Sequence, residues 1–210
     1  MSRLDRFTRP LARLAIGVAA AICVPLVVAV PGQAAPAAVP VEFDVSRYTP
    51  VAPERYRSLA YADNGRAYFT TGRWRCQIGP QYRYVGCQGS PATAPADTVF
   101  DKTLGAAISA DQSGPWWVRS TLLYTPSYRF GPRSGFTPPL LRAGQRLTIA
   151  GVTCTVPRAD EVACRTGERA LIFTPAWHKF YYPSWDSKGH SANPAAQHLP
   201  PRLRGTSQLP

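Results

Sequence analysis

From residue 63 to residue 183 the apolar positions alternate with polar ones in short runs, and they do not recur every three or four residues as a helix would require. The runs are Ala67 to Thr71, Trp74 to Ile78, Tyr82 to Cys87, Trp116 to Leu123, Arg146 to Ala150, Val152 to Val156, Glu161 to Arg165, Ala170 to Thr174 and His178 to Tyr182, most of them bounded by Gly or Pro. β-branched and aromatic residues dominate them, and such residues suit a pleated surface. Phe100 to Ala110 is the one stretch with helical features, but Gly105, Thr103 and Ile108 weaken a helix there, so it leans to strand. The pattern predicts an all-β fold, a small antiparallel sandwich or barrel-like domain.

Two of these runs echo each other. Thr71-Gly72-Arg73-Trp74-Arg75-Cys76-Gln77-Ile78 closes with Val85-Gly86-Cys87-Gln88-Gly89, and Ala150-Gly151-Val152-Thr153-Cys154-Thr155-Val156 closes with Val162-Ala163-Cys164. Alternation along a strand puts Trp74, Cys76 and Ile78 on one face, as it does Val152, Cys154 and Val156. Val85 and Val162 then share the faces of Cys87 and Cys164. The spacing therefore predicts local disulfides, Cys76 to Cys87 and Cys154 to Cys164, out of the three pairings that four cysteines allow. Structural zinc is disfavoured, because no two cysteines have the two-to-four-residue separation of a zinc knuckle.

The flanks differ from this body. Residues 1–34 read as a cleavable export signal: Arg3, Arg6, Arg9 and Arg13 precede an apolar run of 17 residues, Leu14 to Val30, followed by Pro31-Gly32-Gln33-Ala34. An uncleaved anchor is the competing reading, although the run is at the short limit for crossing about 30 Å of hydrocarbon. Cys23 follows Ile22, where a lipidation site requires a small residue, so Cys23 leaves with the leader. Residues 35–62 are a Pro/Ala-rich extended arm, and residues 184–210, with four prolines and no periodicity, are expected to be a disordered tail. The tail carries no LPxTG signal for covalent wall attachment.

Loss of the leader removes four arginines and one aspartate, and the formal charge falls from +12 to +9. Such a balance favours anionic envelope polymers, lipid head groups or nucleic acid as partners. The predominance of Arg, 21 of 24 basic residues, is also what a G+C-rich genome produces without selection for binding. Nucleic acid is disfavoured, since no binding motif is present and an exported chain meets little of it. The sequence from Phe69 to Gly89, together with Gly144-Gln145-Arg146-Leu147, Gly151-Val152-Thr153-Cys154 and Val162-Ala163-Cys164, resembles a group of small exported proteins of mycobacteria and related actinobacteria. The resemblance spans about residues 66–182. It implies an envelope or secreted protein and carries no catalytic residues over.

Motif chemistry is sparse. The chain has no GxSxG elbow, HExxH helix, phosphate loop or dinucleotide glycine loop, and nothing in it calls for a cofactor or a metal. The stronger candidate is a surface. With Trp74, Cys76 and Ile78 inward, Arg73, Arg75 and Gln77 point outward, joined by Tyr82 and Tyr84 from the partner strand. Tyr128, Arg129, Phe130 and Arg133 repeat that chemistry in a Gly/Pro-rich loop. Guanidinium groups beside aromatic rings grip phosphates, uronic acids or sugar rings by charge, hydrogen bonds and stacking. One of Trp116 and Trp117 must face the core and the other pack beneath a flank or remain exposed. These features predict a monomeric or weakly associating, non-catalytic binding or structural protein of the envelope that contacts an anionic polymer or another exported protein. The alternative is an envelope hydrolase whose site is assembled from residues such as Asp160, Glu161 and His178.

Overall fold

A computed structural model describes residues 39–80, 83–95, 105–108, 114–118, 130–186, 193–205 and 207–210. Eleven strands are present among them: β1 (Thr49–Pro50), β2 (Ala67–Thr71), β3 (Trp74–Ile78), β4 (Val85–Gln88), β5 (Gly105–Ile108), β6 (Trp116–Val118), β7 (Gln145–Ile149), β8 (Val152–Thr155), β9 (Val162–Thr166), β10 (Arg169–Phe173) and β11 (His178–Tyr181). They form a five-stranded sheet, β2-β3-β4-β5-β6, and a six-stranded sheet, β1-β7-β8-β9-β10-β11. Every pairing is antiparallel between sequence neighbours except the parallel β1–β7 contact. The all-β expectation holds, and the undecided stretch around Gly105 supplies a strand.

The inner faces of the two sheets share one core. Phe69, Trp74, Cys76, Ile78, Val85 and Cys87 meet Leu147, Val152, Cys154, Val162, Cys164, Leu171 and Phe173 in a single buried cluster. Trp74 and Trp117 reach across to Phe173, at ring-centroid distances of 5.1 and 5.6 Å. Trp117 is thus the core member of its pair, and Trp116 is half-buried against Phe130 on the other side of the sheet. Both disulfides form between directly opposed ladder positions, Cys76 with Cys87 and Cys154 with Cys164, with Cα atoms 4.1 Å apart. The β2–β3 and β7–β8 turns that lead into these ribbons need left-handed backbone. Gly72 supplies it at φ 50°, and Ala150 and Gly151 supply it at 50° and 76°.

The flanks depart from expectation. The 35–62 arm is described from residue 39, and it is folded down onto the domain through three short 3-10 turns, Val41–Phe43, Val45–Arg47 and Pro53–Tyr56, with Phe43, Tyr48 and Tyr56 buried. Its proline survives in a strand because β1 is an edge: the Thr49 and Val51 N–H groups donate to the Gly144 and Arg146 carbonyls, and Pro50, which has no N–H, stands between them at the position whose donor the pairing does not use. At the other end, disorder was expected over 184–210, yet residues 193–205 and 207–210 lie on the domain. Leu199 and Leu203 are buried, Asn193 brackets the Phe180 main chain through both its N–H and C=O, and the Tyr182 N–H bonds to the Ser207 carbonyl. The physical reason is on the outer face of the six-stranded sheet, where Ala163, Ala170, Ile172 and Tyr181 need a cover. Phe43 from one flank and Leu203 from the other provide it.

Candidate functional site

On the five-stranded sheet, two rows point away from the core: Tyr68, Gln77 and Gly86 in one, Thr70, Arg75 and Gln88 in the other. The segment after Phe130 folds over the first row. Phe130 lies against Gly86, where a Cβ would run into its ring, so only glycine permits this approach. The segment is tied down by Asp63, which is fully buried. Its carboxylate accepts from the Arg133 N–H at 2.6 Å, the Ser134 N–H at 3.3 Å, the Ser58 hydroxyl at 2.6 Å, the Tyr68 hydroxyl at 3.4 Å and the Ser134 hydroxyl. Burial alone would raise the Asp63 pKa. The Ser134 and Ser58 hydroxyls and the two main-chain N–H groups outweigh that and hold it at about 2.

Between the anchored segment and the sheet a cavity of about 510 Å³ remains, with Thr70, Arg75 and Gln88 along its polar side and Phe130, Pro132 and Pro138 along its apolar side. Arg75 is exposed, and its guanidinium has no hydrogen-bond or ion-pair partner among the described residues. A free guanidinium facing an aromatic and proline wall suits a ring or chain that carries an anionic group.

The predicted face is only partly assembled. Arg75 points outward as expected. Gln77 also points away from the core, but the 130–136 segment buries it to 1 % exposure, because it lies under that cover and not on open sheet. Arg73 belongs to the β2–β3 turn, where its N–H donates to Asp160 Oδ1 at 3.2 Å, and it does not line the cavity. Tyr84 packs into the small cluster of Val118, Phe130 and Trp116. Tyr82, Tyr128 and Arg129 lie outside the described residues. Asp63, which shapes the site, carries no sequence signal beyond its place before the Asn64-Gly65 turn.

The residues considered for hydrolysis occupy three places. Asp160, at φ 61°, joins the hairpins: its carboxylate meets Arg73 and its carbonyl accepts from Trp74 Nε1 at 2.7 Å. His178 is buried, with Nδ1 2.8 Å from the Thr93 hydroxyl and its ring edge-on to Trp117 at 4.9 Å. Glu161 lines a second cavity on the opposite side of the molecule's core, together with Glu42, Tyr48 and three arginines. Burial, and then the charge of Glu42, raise the Glu161 pKa, against the lowering influence of Arg158 and Arg202. Among the described residues no three His, Cys, Asp or Glu side chains gather as a metal site would need, and no helix is long and apolar enough to cross a membrane. No family model, curated protein or solved structure matches the chain.

Proposed function

We propose that this chain is an exported, non-catalytic binding protein of the cell envelope, which grips an anionic polymer in the groove beneath the 130–138 segment. The observation that carries the reading is Arg75: a solvent-facing, unpaired guanidinium on the rim of a 510 Å³ groove whose other wall is Phe130 and prolines. Export is supported by the basic and apolar leader and by two disulfides, which persist in oxidising compartments. The net positive charge adds long-range attraction.

Binding of a polyuronate, followed by calorimetry, tests the proposal. Affinity should fall steeply between low and physiological salt, as expected for contacts screened over a Debye length of about 8–10 Å. Arg75→Ala should weaken binding by about tenfold at low salt, corresponding to roughly 1.4 kcal/mol, and flatten the salt dependence. Arg73→Ala, at a turn outside the groove, should change it far less. Equal binding by Arg75→Ala and the native chain would remove the groove from consideration.

A further inference from the structure

On the outer side of the six-stranded sheet, the first 3-10 turn, the loop before β9 and the C-terminal segment enclose a cavity of about 240 Å³. Its floor holds two carboxyl groups, on Glu42 at 0 % and Glu161 at 6 % exposure. Glu42 Oε1 takes an ion pair from Arg202, and the Glu42 main-chain carbonyl accepts from the Thr155 hydroxyl at 2.6 Å. Glu42 Oε2 and Glu161 Oε1 have no hydrogen-bond partner among the described residues. Tyr48 cannot serve them as a donor, because its hydroxyl donates to the Val41 carbonyl at 3.0 Å. At the mouth the charge reverses: Arg47 and Arg158 are exposed, and Arg202 is 45 % exposed.

Buried carboxyl oxygens left without donors are costly, and a ligand that brings N–H groups to them relieves that cost. A divalent metal fits poorly, since it finds two carboxylates and no third acidic, His or Cys ligand, with three arginines close by. An anion alone meets the acidic floor. A cation alone must pass the arginines. A molecule with an ammonium at one end and an anion at the other matches both layers. The volume is that of about eight waters at about 30 Å³ each, which selects a small molecule over a polymer.

We propose that this cavity binds a small ammonium carboxylate of the amino-acid type, its ammonium between Glu42 Oε2 and Glu161 Oε1 and its carboxylate at Arg47, Arg158 and Arg202. The site is independent of the groove at Arg75, so either can fail without the other.

Titration of the full chain with glycine, alanine of both hands, and glutamate tests it, with methylamine and acetate as the separated halves. At least one of the zwitterions should bind with a Kd of about 1 mM or tighter, and at least tenfold more tightly than either half. Glu42 also holds Arg202, so the diagnostic variants are Glu161→Gln, which keeps the shape, and Arg158→Ala at the exposed mouth. Glu161→Gln should weaken the zwitterion by about tenfold or more; Arg158→Ala should weaken it several-fold and leave methylamine unchanged. A thermal melt matching the native chain establishes that each variant is folded. Absence of saturable binding by all the zwitterions would overturn the proposal, as would methylamine binding equally well or an undiminished affinity in folded Glu161→Gln.

Discussion

Asp63 concentrates more interactions than any other described carboxylate. Because its folded pKa, about 2, lies below the ordinary value of 3.8, its contribution to stability is fully present above about pH 4 and is lost as pH falls toward 2. The difference corresponds to about 2 kcal/mol. Urea titrations at pH 5 and pH 2.5 should therefore show a larger stability loss for the native chain than for Asp63→Asn, which should already be destabilised at pH 7. Ala150 is the converse case. It sits at φ 50° beside Gly151, a conformation that costs an alanine about 1 kcal/mol and that asparagine tolerates. Ala150→Asn should raise the thermal midpoint by a few degrees; a lowered midpoint would contradict the assigned turn.

At the level of elements, each cystine rivets one ribbon, across sequence separations of 11 and 10. Replacing either pair by alanines should cost roughly 3 kcal/mol, read by denaturant titration, and non-reduced peptide mapping should find only the two local linkages. These ribbons were legible because Cys76, Cys87, Cys154 and Cys164 sit in period-two runs whose neighbours already declare which face is apolar. Arg75 was placed outward by the same logic. Gln77 was not placed correctly in terms of exposure, because what buries it comes from a segment more than fifty residues away that has no period of its own. Phe130 is an aromatic residue among arginines, but nothing in a Gly/Pro-rich stretch reveals that its ring lies against Gly86. Gly86→Val should displace that ring, and should lower groove binding more than it lowers the melting temperature.

For the molecule as a whole, the joints between layers are polar and buried. Arg169 and Asp186 pair at 2.6 Å with 2 % and 3 % exposure, Trp185 lies 5.1 Å from the guanidinium, and the same arginine donates to the Gly114 carbonyl, where β6 begins in the other sheet. Arg169→Ala takes the paired cation away from a buried carboxylate, and should cost about 3–5 kcal/mol in equilibrium unfolding. The outer cover was the part least readable from sequence, for Phe43 and Leu203 are single apolar residues in proline-rich surroundings that look like linkers. Both become core only because the six-stranded sheet exposes Ile172 and Tyr181 on its second face. The contact between Glu42 and Arg202 also has a topological corollary. Covalent closure by a peptide that joins residue 210 back to residue 39, with new ends opened at the exposed Gly167 turn, leaves every sheet partner where it was, so this fold should tolerate circular permutation at that hairpin.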